Sequence, residues 1–373
     1  MSINSAASQT ASSRLLSLDI FRGLTIIGMI IVNNPGSWSH VFPPFLHAQW
    51  NGVTFADLIF PFFVFSMGMS VSVALSGRIE GGTNRTLLIY KILFRSLIIY
   101  LLGIFLWVWP EFNFTEVRWV GVLPRIAAVF LACAILYLNT TWKQWMNIGI
   151  VLLTTYWIVM CYLPIPGMGN PDLLVPEKNW ANFIDLNFLP GYLWQKTWDP
   201  EGMLSTIPAI VTGLSGMLFY KVFQQYEDVY QKVTWSFVYG YALYFAGVIW
   251  GWEFPLNKHI WTSSYVLYTS GLAAMTFSVI YLTTEIKGFV KWSYIARVFG
   301  CNAIAAYVLA STLSAVFVIK SENFPGIKAT WMNWNMQLGL DSRFVSLLYA
   351  LGYMAVIFIP VHMLYKRKIF IKI

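Results

Sequence analysis

Residues 55–76 read FADLIFPFFVFSMGMSVSVALS, a run whose single ionisable group, Asp57, stands near its start. An α-helix rises about 1.5 Å per residue, so such a run is long enough to cross a hydrocarbon core of about 30 Å. Comparable apolar stretches recur on both sides of it. Ten are placed near residues 18–33, 55–76, 86–108, 121–138, 143–163, 202–222, 232–250, 262–283, 294–318 and 342–365. Of the 373 residues, 58 % are hydrophobic, 18 % aromatic and only 11 % charged, and the mean hydropathy is +0.62. Inside lipid each backbone polar group must be satisfied within the protein, a condition that helices meet on their own. The expected fold is all-α: a polytopic membrane bundle of about ten helices. Residues 1–373 form one domain, because no polar stretch is long enough to fold alone.

Charge sets the expected orientation. The net charge of +8 could suggest nucleic acid, but the basic residues are scattered at helix ends and read as topology determinants. With both termini cytoplasmic, 16 of the 24 Lys and Arg residues fall on the cytoplasmic side and 8 on the other. The remaining loops, 34–54, 164–201 and 319–341, are then external. The 164–201 loop carries a net charge of −3 and is rich in Trp, Tyr, Pro and Asn, so it is expected to be a folded external cap. Residues 1–14 read as a flexible cytoplasmic tail. The segment 18–33 ends in Asn33-Asn34-Pro35-Gly36 rather than at a small-x-small cleavage site, so the first helix is expected to be retained.

Cys133, Cys161 and Cys301 all lie in apolar runs without C-x-x-C spacing, which argues against a disulfide framework and a metal site. No P-loop, H-E-x-x-H or G-x-S-x-G motif is present.

Chemistry therefore has few places to reside. His47 is one of four histidines, in a short polar stretch with Asn33 before it and Asn51 and Asp57 after it. A neutral imidazole there can take a proton from an attacking amine or hydroxyl, or simply bond a helix end. Thr54-Phe55-Ala56-Asp57 fits a capping box, and orienting His47 is a second role open to Asp57. Asp199-Pro200-Glu201-Gly202 reads as N-cap, N1 and first turn of the helix 202–222; the same acids would attract a cationic substrate at the outer mouth. Arg125 either snorkels to the interface or pairs with Asp57 or a substrate. Asp19 and Arg22 are one turn apart and can pair. Asn302 lies within the helix 294–318, where it bonds a neighbouring helix or lines a ligand channel. Lys91 and Arg95, one turn apart near the cytoplasmic end, meet either ligand phosphates or lipid headgroups, the latter being favoured.

At this point the chain becomes recognisable. Leu18-Asp19-Ile20-Phe21-Arg22-Gly23, Val32-Asn33, and the block His47-Ala48-x-Trp50-Asn51-Gly52-x-Thr54-x-Ala56-Asp57-Leu58-x-Phe60-Pro61-x-Phe63-Val64-Phe65-x-Met67-Gly68 resemble the heparan-α-glucosaminide N-acetyltransferase family. Gly121-Val122-Leu123-Pro124-Arg125, Asp199-Pro200-Glu201-Gly202, Trp261-x-x-Ser264-Tyr265-Val266 and Asn302-Ala303-Ile304 follow in family order, each a weaker signature. Pro124 stands where the family pattern has glutamine. The resemblance spans about residues 14–365.

The resemblance implies an enzyme that moves an acetyl group from cytoplasmic acetyl-CoA, as co-substrate, to the amine of a terminal glucosamine across the membrane, with no metal. His47 is then catalytic, as base or acetyl carrier, with Asn33 beside it and Asp57 supporting. Asn51, Trp50, Arg125, Asp199 and Glu201 are assigned to the substrate, and Asn302, Ser264 and Arg22 to the cofactor. The resemblance is expected to be to bacterial members, without the large luminal N-terminal domain of the lysosomal ones. An inner-membrane location is expected, with His47 periplasmic and free glucosamine or another amino sugar as acceptor. Expected partners are acetyl-CoA, the amino sugar and the lipid bilayer, with a homodimer suggested and no nucleic acid. The alternative is a sugar or amino-sugar transporter without acyl transfer. The runs 143–163, 232–250, 262–283 and 342–365 lack central ionisable residues, which counts against coupled transport.

Overall fold

The computed structural model describes residues 15–319 and 324–371. The 1–14 tail, Arg14, Lys320 and Lys372 lie outside the described residues.

Thirteen helices follow one another: α1 Leu16–Asn33, α2 Phe55–Glu80, α3 Arg85–Val108, α4 Val122–Asn139, α5 Trp142–Tyr162, α6 Trp180–Phe188, α7 Met203–Gln224, α8 Val229–Trp250, α9 Ser263–Tyr281, α10 Tyr294–Cys301, α11 Ala303–Val318, α12 Ile327–Gln337 and α13 Ser342–Lys366. Among the described residues there is no strand, only isolated bridges. Among the described residues nine helices are long and apolar enough to span a membrane, and the pair α10–α11 makes a tenth span if counted together. The chain is an all-α polytopic membrane bundle.

The spans are not equivalent. Of the apolar window of α2, 72 % is buried, against 17 % for α8 and 22 % for α3. So α2 is central, and α3 and α8 leave most of their surface for lipid. Helix backbones meet where side chains are smallest. A Cβ added at Gly23 would run into the Ala296 carbonyl, and one at Gly300 into the Asp19 carbonyl, so α1 and α10 approach with their main chains nearly in contact.

Two expectations need correction and a third gains detail. The helix expected at 294–318 is broken at Asn302, where α10 and α11 meet at a 77° bend. Asn302 is thus a joint rather than a residue on a continuous wall. Its Nδ2 donates to Ile369 O at 3.1 Å and its Oδ1 accepts from Ile371 N at 2.8 Å, so its amide holds the C-terminal segment. Second, the loops 164–201 and 319–341 contain the short helices α6 and α12. Third, α7 begins at Met203 with Gly202 as its N-cap. Asp199 and Glu201 therefore stand outside the helix, and the carboxylate at its N-terminus is Asp185, whose Oδ1 accepts from Met203 N at 3.0 Å.

Alternating spans bring the 34–54 loop, the 109–121 segment, α6, the α8–α9 connection and α12 to one end of the bundle. The start of α1 and the end of α13 lie at the other. Trp109 Nε1 donates to Thr312 O at 3.2 Å, so the bent pair does run from one end to the other.

Candidate active site

The site is built on the first turn of α2. Thr54 is the N-cap and Asp57 occupies N3 in a complete capping box. Asp57 Oδ2 accepts from Thr54 N and from Ala48 N, each at 3.0 Å. Its Oδ1 faces His47 Nδ1 at 2.7 Å. A carboxylate only accepts, so Nδ1 carries the proton in this pair and Nε2 keeps its lone pair. The His47 side chain is 33 % exposed while that of Asp57 is 1 %. The imidazole is thus oriented from the buried side and reachable from the open one.

The connection after α8 closes over this loop. Gly52 N donates to Leu256 O at 2.8 Å, and Asn257 Nδ2 to Asn51 Oδ1 at 2.9 Å. Gly52 adopts φ +112°, a conformation that glycine reaches without a Cβ clash. Trp50 stacks on His259 with centroids 5.6 Å apart, and His259 Nε2 donates to Ala48 O at 3.0 Å. Burial pushes His259 below the ordinary histidine range, against the pull of the Ala48 carbonyl.

This docking brings in Lys258. Its Nζ lies 3.0 Å from His47 Nδ1, 3.2 Å from Nε2 and 3.5 Å from Asp57 Oδ1. Burial pulls Lys258 below the ordinary lysine range, while Asp57 and Glu201 oppose the shift and Arg125 adds to it.

A second charged cluster lies beside the first. Arg118 donates from Nε to Asp199 Oδ2 at 2.7 Å and from Nη2 to Asp199 Oδ1 and Glu201 Oε2, each at 2.6 Å. Burial alone would lower both partners' tendency to ionise. The paired charges outweigh it, raising Arg118 and lowering Glu201. Asp185 goes the other way: burial lifts it to about 6, although the N–H groups of Met203 and Asp199 bond it.

Several assigned residues have partners within the chain. Asn51 has both ends of its amide on protein partners, Asn257 and the Leu173 carbonyl, and the Trp50 indole N–H also reaches Leu173 O. They hold the loops of the site together. Asp199 and Glu201 are matched by Arg118, so they are not free acids at a mouth. Arg125 does not snorkel: at 2 % exposure it is buried, bonded to Ser205 Oγ at 2.5 Å, with its guanidinium 5.1 Å from the Trp261 ring. It does not pair with Asp57, a place taken by Lys258. Ser264 is fully buried with its hydroxyl on Phe254 O at 2.5 Å. Asn33 ends α1 exposed, with no hydrogen bond to the His47 loop among the described residues. Arg22 pairs with Asp19 at 2.8 Å at the far end. There a cavity of about 430 Å³ opens, lined by Asp19, Arg297, Cys301, Tyr365, Lys366 and Lys368 among others.

Sequence reasoning missed Lys258, His259, Arg118 and Asp185. Only Lys258 left a usable signal, since Asn257-Lys258-His259 directly precedes the Trp261 motif. Among the described residues no group of three or more His, Cys, Asp or Glu could hold a metal ion.

Fold and site together define a multi-span membrane protein with a reachable imidazole, backed by a buried carboxylate and a buried amine, at one end of its bundle. Residues 14–120 match a family model described as a domain of unknown function, DUF5009. The chain is 27 % identical over 368 residues to heparan-alpha-glucosaminide N-acetyltransferase of Mus musculus, covering 83 % of this chain and 55 % of that protein. It is 29 % identical over 355 residues to the Homo sapiens protein of the same name, covering 79 % and 52 %. The similarity to these two proteins extends along most of the sequence. It spans about half the length of the curated relatives it matches.

Proposed function

We propose that this protein is a membrane N-acetyltransferase. It takes an acetyl group from acetyl-CoA, presented from the cytoplasmic side, and passes it to the amine of glucosamine or a related amino sugar at the opposite face. The observation that carries this reading is the His47–Asp57 pair, with Nδ1 and Oδ1 2.7 Å apart. Asp57 fixes the tautomer, leaving Nε2 as a base for the amine or as a transient acetyl carrier. The curated relatives' name supplies the reaction class. The cavity at the other end, with Arg297, Lys366 and Lys368 around it, favours a phosphate-bearing donor there. In this reading the His47 end faces the periplasm of a bacterial inner membrane.

Purified protein incubated with acetyl-labelled acetyl-CoA and glucosamine tests the proposal. Label is expected in N-acetylglucosamine, and His47→Ala is expected to abolish transfer while the thermal unfolding midpoint is retained. Uptake of the amino sugar into proteoliposomes without acetylation would instead establish the transport reading. A His47→Ala variant with near-normal turnover removes the imidazole from the mechanism.

A further inference from the structure

Lys258 has no task in a mechanism centred on His47 alone. Its side chain is 12 % exposed, and its charge is held where desolvation works against it. The position of the ammonium is informative. Nζ is almost equidistant from the two ring nitrogens, at 3.0 and 3.2 Å. No such point lies along either lone pair in the ring plane, because Cε1 occupies the approach between the nitrogens. Nζ therefore stands over the face of the imidazole. Nδ1 already directs its proton to Asp57, so Lys258 is not the partner that orients the ring. Among the described residues its one anionic neighbour within 4 Å is Asp57 Oδ1, at 3.5 Å. One N–H serves that contact, and an ammonium carries two more that can meet an oxygen placed on the Nε2 side.

An acyl carbon in reach of Nε2, or of an amine whose proton Nε2 takes, presents its oxygen close to this ammonium. A donor some 2.7–3.1 Å from the position of a developing oxyanion is the usual means of stabilising acyl-transfer transition states. We propose that Lys258 is a catalytic residue that donates to the carbonyl oxygen of the acyl thioester beside His47 and holds the negative charge that forms there. This rests on the acetyl-transfer reading. In the step itself, the amine lone pair forms the new C–N bond and the carbonyl π pair moves to the oxygen facing Lys258. The amine proton passes to His47 Nε2. Collapse restores the carbonyl and breaks the C–S bond, and the departing thiolate takes the proton from His47. The products are the amide and the free thiol, with Lys258 unchanged.

Neighbouring carboxylates offset part of the burial that works against this ammonium. Asp57 from α2 and Glu201 from the segment before α7 favour its charge, while Arg125 from α4 opposes it; His259 is its chain neighbour and His47 lies beneath it. Glu201 is shared with Arg118, so the second charged cluster biases the first through this carboxylate.

The test compares the full-length wild type with Lys258→Met, Lys258→Arg and His47→Ala, using acetyl-CoA and glucosamine. For Lys258→Met, kcat is expected to fall by about 10²–10³-fold, with KM for both substrates within a few-fold. The alkaline loss of activity expected of wild type should be absent from its residual rate. Lys258→Arg, which keeps the charge, should retain more activity and lose it only at higher pH. A second readout does not depend on turnover. Infrared spectra of ¹³C-carbonyl acetyl-CoA bound to His47→Ala should show a lowered thioester C=O frequency, and Lys258→Met in the same background should relieve it. A carbonyl band unmoved by Lys258→Met, or a Lys258→Met enzyme with near-wild-type kcat, overturns the proposal. If wild type transfers acetyl, His47→Ala is dead and Lys258→Met is normal, the lysine assignment alone fails. If wild type transfers nothing, the acetyl-transfer reading fails, and the infrared arm still reports whether Lys258 touches the donor.

Discussion

Arg118 grips Asp199 through two hydrogen bonds, Nε to Oδ2 at 2.7 Å and Nη2 to Oδ1 at 2.6 Å. The Asp199 side chain is 0 % exposed and that of Arg118 is 11 %. A planar fork matched to a carboxylate is a geometry that lysine cannot copy. It also joins the 109–121 segment to the loop before α7, two stretches the sequence leaves far apart.

Removing one partner of such a pair leaves a buried charge uncompensated, at about 3–5 kcal/mol. Arg118→Met is therefore expected to lower stability by that order and Arg118→Lys by less. Asp199→Asn in the Arg118→Met background should recover part of the loss, since it removes the stranded charge. Thermal unfolding of the four proteins in one detergent checks this. Equal midpoints for Arg118→Met and wild type would mean that the pair contributes nothing.

Asp57 has two duties that substitution can separate. Asn at this position keeps an acceptor for the cap but can no longer serve as the anionic acceptor that holds the Nδ1–H tautomer. Asp57→Asn should lower kcat by about 10²–10⁴-fold, by analogy with the loss of a tautomer-holding carboxylate. Its unfolding midpoint should fall less than that of Asp57→Ala. Asp57→Ala should lose both, with about 1 kcal/mol or more of helix capping gone. Steady-state kinetics beside thermal scans distinguish the two, and equal kcat in Asp57→Asn and wild type removes the orienting role.

Much of this architecture was legible because lipid permits few solutions. Apolar runs of about 20 residues must be helices, and the start of α2 gave away its capping box through Thr54 and Asp57. Legibility failed where the decisive partner is distant in sequence. Nothing near Arg118 announces Asp199, and nothing near His47 announces Lys258, which lies 211 positions away. The break at Asn302 escaped because the residues on both sides of it are apolar and helix-compatible. The partners of the Asn302 amide, Ile369 and Ile371, lie far along the chain. Asp199-Pro200-Glu201 carried good capping residues in good order, yet Asp185, brought in from α6, took the N-terminus of α7 and freed Asp199 for Arg118.

Gly52 offers a test of how the two loops of the site are joined. At φ +112° a Cβ would meet only the Ala48 Cβ, at 4.0 Å, so there is room for a methyl group but not the right backbone freedom. A non-glycine residue held in such a region costs on the order of 1–3 kcal/mol. Gly52→Ala is expected to lower stability by that amount, or to relax the loop and loosen the Gly52 N to Leu256 O bond. Either way His47 and Lys258 lose register, and kcat should fall more than KM rises. Unchanged kinetics and an unchanged unfolding midpoint in Gly52→Ala would show that this backbone geometry is dispensable.

Asp185 gives the protein a pH dependence of definite sign. Burial lifts its carboxyl from an ordinary value of 3.8 to about 6. Between those values the folded state binds a proton that the unfolded state releases, so stability falls as pH rises through this window. A shift of about two units corresponds to roughly 3 kcal/mol. That contribution is present below about pH 4 and lost by about pH 6. Glu201, lowered by Arg118, acts in the opposite sense, adding stability above its ordinary range that is lost on acidification. The two are separated by substitution. Asp185→Asn keeps an acceptor for Met203 N or Asp199 N but cannot titrate. The difference in unfolding free energy, wild type minus Asp185→Asn, should decline from pH 4 to pH 6.5 and then level off. A difference that stays flat across that range, or rises, contradicts the burial-driven shift and returns Asp185 to an ordinary ionised cap.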